Sequence, residues 1–280
     1  MTKQARSDLT KQARSNDNTY HADKSKGTGG NKRDSRSSQP SQGDILAIYE
    51  AVSQVYPDVR SQLLEPVRHD PVDVLVATIL SQATNDTLSG RAFSELKSSF
   101  PDWESVLADD PCNVEAALAC GGLQKQKTKK IRSALSKLKE DFGAITLEPL
   151  FDWPKERIME YLTTLPGVGP KTAACVVVFG LGKPAFPVDT HILRIARRLG
   201  LAGEKQGAPS VQNMFEKLVP NEIKGPFHLM LIQHGREVCS ARKPACPLCP
   251  LKHMCLYFKT NVHPDTLRES GEGTSPARDE

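Results

Sequence analysis

The chain reads as all-α. Three observations carry this: apolar side chains recur at three- and four-residue spacing, Asp-Pro pairs open two of the periodic stretches, and no alternating run with turn dipeptides marks a sheet. At 280 residues, 38% hydrophobic and 25% charged, the chain is long enough for one large domain or two smaller ones with a real core.

Residues 1–42 form a tail whose only large apolar side chains are Met1, Leu9 and Tyr20, and whose Thr2–Ser7 string (TKQARS) is repeated at Thr10–Ser15. Such a segment buries too little surface to offset its ordering entropy. It reads as solvated, or as a basic arm for a polyanion's phosphates. Asp44 is placed to cap the first helix, with Ile45, Ile48, Tyr49, Val52 and Val55 on one stripe. Asp70-Pro71 starts another, carrying Val72, Leu75, Val76, Ile79 and Leu80. Asp110-Pro111 repeats the device, and Gly121-Gly122 ends that element. Further helices are expected over roughly 86–100, 126–141, 154–164, 171–181, 190–199, 209–218 and 221–234. Residues 263–280 read as a second tail.

Charge separates tail from body. Of 37 Lys/Arg and 33 Asp/Glu in the chain, residues 1–42 hold nine basic and four acidic groups, leaving 28 against 29 for the rest. The nearly neutral body must therefore meet any polyanion with a local patch. No apolar run is long enough to span a membrane, and the start lacks the apolar stretch of a secretory signal, so neither insertion nor export is expected. Seven cysteines, an odd number, fit reduced thiols or metal ligation better than a disulfide framework.

Three strings carry chemistry. In Leu165-Pro166-Gly167-Val168-Gly169-Pro170-Lys171, Gly167 and Gly169 allow a tight turn with bare amides, and Pro170 suits the first turn of a following helix. Bare amides at a helix start make an anion site, although Gly-x-Gly alone also fits an ordinary helix–helix turn. Pro187-Val188-Asp189-Thr190-His191 lies eighteen residues beyond Lys171 and opens another helix, where Asp189 fits an N-cap. A helix from Lys171 to Gly180 is roughly 15 Å long, and Lys183–Val188 extended spans at most ~20 Å, so Asp189 can return to Lys171. Finally, Cys239, Cys246, Cys249 and Cys255 follow C-x6-C-x2-C-x5-C. Four soft thiolates select zinc or iron–sulfur, and zinc ribbons prefer two close pairs where this chain has one. Cys112, Cys120 and Cys175 read as core thiols, and His191 as structural.

Taken together, LPGVGPKTA, FPVDTH and LIQHGREVCSARKPACPLC resemble the helix–hairpin–helix DNA glycosylases of the endonuclease III family, over about residues 43–260. The resemblance implies a six-helix barrel domain over 65–185 ending in the hairpin. Residues 43–64 and 186–262 would form an iron–sulfur cluster domain, with DNA in a cleft between the two. It implies Lys171 as the amine nucleophile, Asp189 as the catalytic carboxylate, and a [4Fe–4S] cluster on the four cysteines. An amine can form a Schiff base where activated water cannot; Lys171 as a plain phosphate-binding lysine is the other reading.

Such an enzyme must extrude a nucleotide and fill the gap. Leu123 resembles the family's wedge, with a hydrophobic helix cap as the alternative. Gln82 resembles its gap-filling glutamine, although Ser81 and Gln82 adjoin here where the family pattern places an alanine between them. Gly167, Gly169, Arg242 and Lys243 would contact phosphates, the last two from the loop between the first two cysteines. The implied partner is damaged double-stranded DNA, bound by a monomer that removes oxidised pyrimidines and nicks the strand. The implied location is the nucleoid-bearing cytoplasm in a prokaryote, or the nucleus in a eukaryote. Two rivals remain, a monofunctional mismatch glycosylase and a non-catalytic DNA-binding protein.

Overall fold

The computed structural model describes residues 39–62 and 70–262. The expected tails lie outside these residues, except for 39–42, as does the start of the expected barrel at 65–69. The described elements are helices, with no strand among the described residues. They are α1 (Gln42–Val55), α2 (Pro57–Gln62), α3 (Pro71–Ser81), α4 (Asp86–Ser99), α5 (Trp103–Ala108), α6 (Pro111–Ala117), α7 (Gln124–Phe142) and α8 (Lys155–Thr164). Then follow α9 (Pro170–Cys175), α10 (Thr190–Leu199), α11 (Ala208–Leu218), α12 (Lys224–Glu237) and α13 (Leu256–Asn261). No described helix is long and apolar enough to cross a membrane.

Local chemistry sets the ends. Asp70 accepts from the Val72 amide at 2.8 Å and Asp110 from that of Cys112 at 2.8 Å, so both Asp-Pro pairs work as expected. The first helix differs. Ser41 is its cap, accepting from the Asp44 amide at 3.2 Å, while the Asp44 carboxylate reaches back to the Ser41 amide at 2.8 Å. Asp44 is thus the third helical residue of a capping box, and its hydrogen bonds from Ser41 lower its pKa. A similar box at Asp102 and Ser105 starts α5, a helix too short for its periodicity to stand out.

The described residues divide into two compact units, 61–62 and 70–189 with 212–228, and 39–60 with 190–211 and 229–262. At the centre of the first lies α3, which packs against α4, α7 and α9. Pro71, Val72, Leu75, Val76, Thr78, Ile79 and Leu80 are all buried, more than one stripe, as a helix enclosed on several sides requires. Ile131, Leu135 and Leu138 of α7 and Ile158 and Leu162 of α8 complete this core. This grouping differs from the expected boundary at 185/186, because 186–189 and 212–228 both fall with the first unit. Phe186 stacks on Phe215 at 4.6 Å and meets Phe227 edge-on at 5.7 Å, so the two segments pack on each other.

In place of one regular helix over 171–181, α9 passes into a π turn at Val176–Gly180. Gly180 is needed there, because a Cβ would stand 2.9 Å from the Pro71 Cα. In the other unit, α1 buries Ile45, Ile48 and Val52, α10 buries Ile192, Ile195 and Ala196, and α10 packs on α13.

Candidate active site and thiol pocket

The hairpin joins α8 to α9. Gly167 carries φ 80° and so meets the expectation of a left-handed residue; Gly169, at φ −98°, does not. Gly167 has a second reason to be glycine. A Cβ there would stand 2.8 Å from Cγ of Lys130, whose stem lies across it. Gly169 is exposed and a Cβ on it would meet nothing within 4 Å, so its backbone is open to a bulky ligand.

Gln82, the residue that resembles a gap-filling glutamine, is hydrogen-bonded on both sides within the protein. Its Nε2 donates to the Gly167 carbonyl at 3.0 Å and to Thr172 Oγ1 at 3.4 Å, while Lys130 Nζ donates to its Oε1 at 2.8 Å. In this structure Gln82 is a strut between α3, the hairpin and α7. The exposed residue at that corner is Ala83, held at φ 53°.

Leu123 is the other non-glycine residue with positive φ (54°) among those described, and it is 48% exposed. A left-handed conformation costs an L residue roughly 1–2 kcal/mol, and here it holds an apolar side chain out in solvent. Beneath it Lys127 is buried and donates to the Gly121 carbonyl at 2.9 Å; burial lowers its pKa. The lysines after Leu123 are therefore not one surface. Lys125 and Lys129 face solvent, whereas Lys127 and Lys130 hold the two loops.

Lys171 is half-buried in the first turn of α9. One turn later Cys175 is buried, with the Lys171 side chain and the Asp189 carboxylate near enough to act on its thiol. Burial raises the thiol pKa, Lys171 pulls it down and Asp189 pushes it up. A cation, a thiol and a carboxylate thus share one neighbourhood. Cys175 was read as a core thiol; the i, i+4 spacing from Lys171 was the available signal for its second contact.

Asp189 immediately precedes α10 and ends an extended segment whose Phe186, Pro187 and Val188 are buried. Side chains hold that backbone. The Phe186 amide donates to Glu216 Oε1 at 2.7 Å, and His228 Nδ1 donates to the Pro187 carbonyl at 2.8 Å. Glu216 is itself fixed by Lys224 at 2.9 Å and Lys155 at 3.2 Å. His191 is engaged elsewhere, with Arg194 Nη2 at 3.1 Å and with Gly235, where a Cβ would stand 2.8 Å from the His191 Cβ.

In the second unit, Cys239, Cys246, Cys249 and Cys255 line one pocket with Arg198 and Tyr257. None of the four is in a disulfide. Among the described residues no three His, Cys, Asp or Glu side chains form a set ready for a metal ion; the thiols instead surround a shared space. Arg198 donates to Cys239 Sγ at 3.2 Å and to the carbonyls of Ser240 and Ala241 at 2.7 and 3.0 Å. Burial, and then the neighbouring thiols, push Cys249 up to about 12, although the Leu251 amide acts in the opposite direction. His234, driven down to about 4 by burial, sits between Cys249 Sγ at 3.5 Å and the Tyr56 hydroxyl at 3.4 Å. Arg242 and Lys243 are exposed on the loop that Arg198 and the Ser240–Lys243 bond (2.6 Å) hold in place.

Comparison with known proteins gives these positions a context. Residues 76–221 match the family described as HhH-GPD superfamily base excision DNA repair protein. The chain is 35% identical over 184 residues to a candidate DNA glycosylase of Arabidopsis thaliana, covering 65% of this chain and 62% of that protein's length. It is 36% identical over 187 residues to endonuclease III of a Synechocystis strain, covering 66% of this chain and 80% of the relative. A structure of a trapped endonuclease III–DNA covalent intermediate superposes with a TM-score of 0.69 at 27% identity, covering 80% of this chain and all of that one. The chain belongs to the HhH-GPD superfamily of base-excision DNA-repair proteins and, within it, to the endonuclease III family of DNA glycosylases.

Proposed function

We propose that the chain is a bifunctional DNA glycosylase and abasic-site lyase that, as a monomer, removes oxidised pyrimidines from duplex DNA. What supports this reading is Lys171 in the first turn after the Gly167–Gly169 hairpin and Asp189 at the residue before α10, both acting on the buried Cys175 thiol, in a chain of the endonuclease III family. The free amine of Lys171 attacks C1′ of the extruded nucleotide, and the base leaves with the glycosidic bond's electron pair and a proton. Asp189 stabilises the positive charge that builds on the sugar as that bond loosens. Ring opening then gives a Schiff base on Lys171. Loss of a C2′ proton expels the 3′ phosphate, and water releases the amine.

Hairpin amides at Gly167 and Gly169 would receive a phosphate, and Leu123 would enter the stack where the nucleotide has left. A duplex bearing one thymine glycol tests the reading directly. A nicked strand as the first product supports it. An intact strand with an abasic site makes the enzyme monofunctional, and no product from any of a panel of lesions makes it a binding protein.

Cys239, Cys246, Cys249 and Cys255 fit a [4Fe–4S] cluster: four thiols outside any disulfide line one pocket, with the Arg198 guanidinium beside them to offset their charge. Bound there, the cluster would tie the 239–255 segment into one rigid piece. Protein prepared without oxygen is expected to hold about four irons and to absorb near ~400 nm, and Cys249→Ser to lose that absorption. Zinc in place of iron would overturn the assignment.

The exposed Arg242 and Lys243 on this clamped loop would meet phosphates. Changing both to Ala is expected to weaken damaged and undamaged duplex alike and to lower the slope of log K against log salt by up to about two. Unchanged binding at every salt concentration would take the loop out of the DNA surface.

A further inference from the structure

Gln212 lies on α11, far from the active-site strings in sequence, and is buried (5% exposed). Its Oε1 accepts from the Val188 amide at 3.3 Å and its Nε2 donates to the Pro170 carbonyl at 3.3 Å. Val188 is the residue before Asp189, and Pro170 is the residue before Lys171. The amide orientation is determined by its partners. An N–H on one side demands the oxygen and a carbonyl on the other demands the NH2, so the flipped rotamer would oppose donor to donor and acceptor to acceptor.

One turn along α11, Glu216 accepts from the Phe186 amide. Residues four apart on a helix rise about 6 Å, and residues two apart on an extended chain advance about 6.6 Å, so the two repeats nearly match. Gln212 and Glu216 therefore grip the alternate amides of 188 and 186 much as a neighbouring strand would. Gln212 also holds the other arm of the site.

We infer that Gln212 is a positioning residue that fixes the separation between Lys171 and Asp189 by joining the backbone before one to the backbone before the other. The inference rests on the proposed roles of Lys171 and Asp189. Holding reacting groups in register is worth large factors in rate, and a displacement of about 1 Å can cost about a hundredfold. The effect is expected on the chemical step rather than on DNA affinity, because Gln212 is buried away from any ligand.

The test uses the full-length protein and a duplex with a single thymine glycol, followed under single-turnover conditions. Gln212→Leu, close in volume and unable to make either bond, is expected to slow base excision by roughly ten- to a hundredfold. Affinity for the same duplex carrying a tetrahydrofuran abasic analogue should stay within about twofold, since no phosphate contact is touched. Gln212→Glu retains the bond to Val188 and loses that to Pro170; it should fall between wild type and Gln212→Leu, and it carries the test if the leucine variant does not fold.

A double-mutant cycle with Asp189→Asn separates positioning from general destabilisation. If Gln212 acts through the Lys171–Asp189 geometry, the double variant is little slower than Asp189→Asn alone. Factors that simply multiply would overturn the proposal, as would wild-type excision by Gln212→Leu beside a crippled Asp189→Asn. Excision that survives both Lys171→Ala and Asp189→Asn would instead overturn the assignment of those two residues, and this inference with it.

Discussion

Replacing Lys171 with Ala is expected to abolish strand nicking at a lesion and to slow base excision by at least about a thousandfold, the scale on which loss of a nucleophile is felt. The variant keeps the helix, because Ala is the best helix former and Lys171 stands in the first turn of α9. It removes the only group in the Lys171–Cys175–Asp189 neighbourhood whose nitrogen can become an iminium. Water could still displace the base slowly, leaving an intact abasic strand. A residual activity that yields nicks in the wild-type proportion would show that another amine performs the elimination.

The second large effect belongs to Asp189. Asp189→Asn keeps the shape of the side chain and its capacity to cap α10, but removes the charge that opposes the developing cation on the sugar. Single-turnover excision is expected to fall about a hundredfold or more, with Tm nearly unchanged. The loss should be smaller on a duplex that already contains an abasic site, since no glycosidic bond has to break there. A large fall in Tm with near-normal excision would make Asp189 a cap and no more.

How much of this was legible in the sequence depended on range. Asp70-Pro71 and Asp110-Pro111 act over two residues, and both start helices as read. The expected start of the first helix falls three residues late: its cap is Ser41, not Asp44, because a Ser three residues before an Asp closes a box that a search for the first acidic cap overlooks. The hairpin and VDTH strings were legible as units, and so was the chance that chain length would let Lys171 and Asp189 meet.

What was not legible lies in side chains that grip distant backbone. The string around Gln82 carries no sign of its partners, because Gly167 and Lys130 are 85 and 48 residues away. Gln212, Glu216 and His228 hold residues 186–188 from across the fold, and their spacing in sequence reads as ordinary helix faces. For the same reason residues 186–189 and 212–228, both expected with the cluster segment, group together with the Lys171 unit, where Phe186, Phe215 and Phe227 pack on one another. The π turn after α9 has no periodic signature of its own; Gly180 pressed on Pro71 is its trace.

The central claim, that this enzyme works through an amine on α9, is tested most directly by borohydride reduction of the wild-type protein with a thymine-glycol duplex, followed by peptide mapping of the adduct. A covalent protein–DNA product linked through the peptide that contains Lys171 is expected, and none from Lys171→Ala. Free protein beside fully excised DNA, or an adduct mapped to another lysine such as the exposed Lys125 or Lys129, would contradict it.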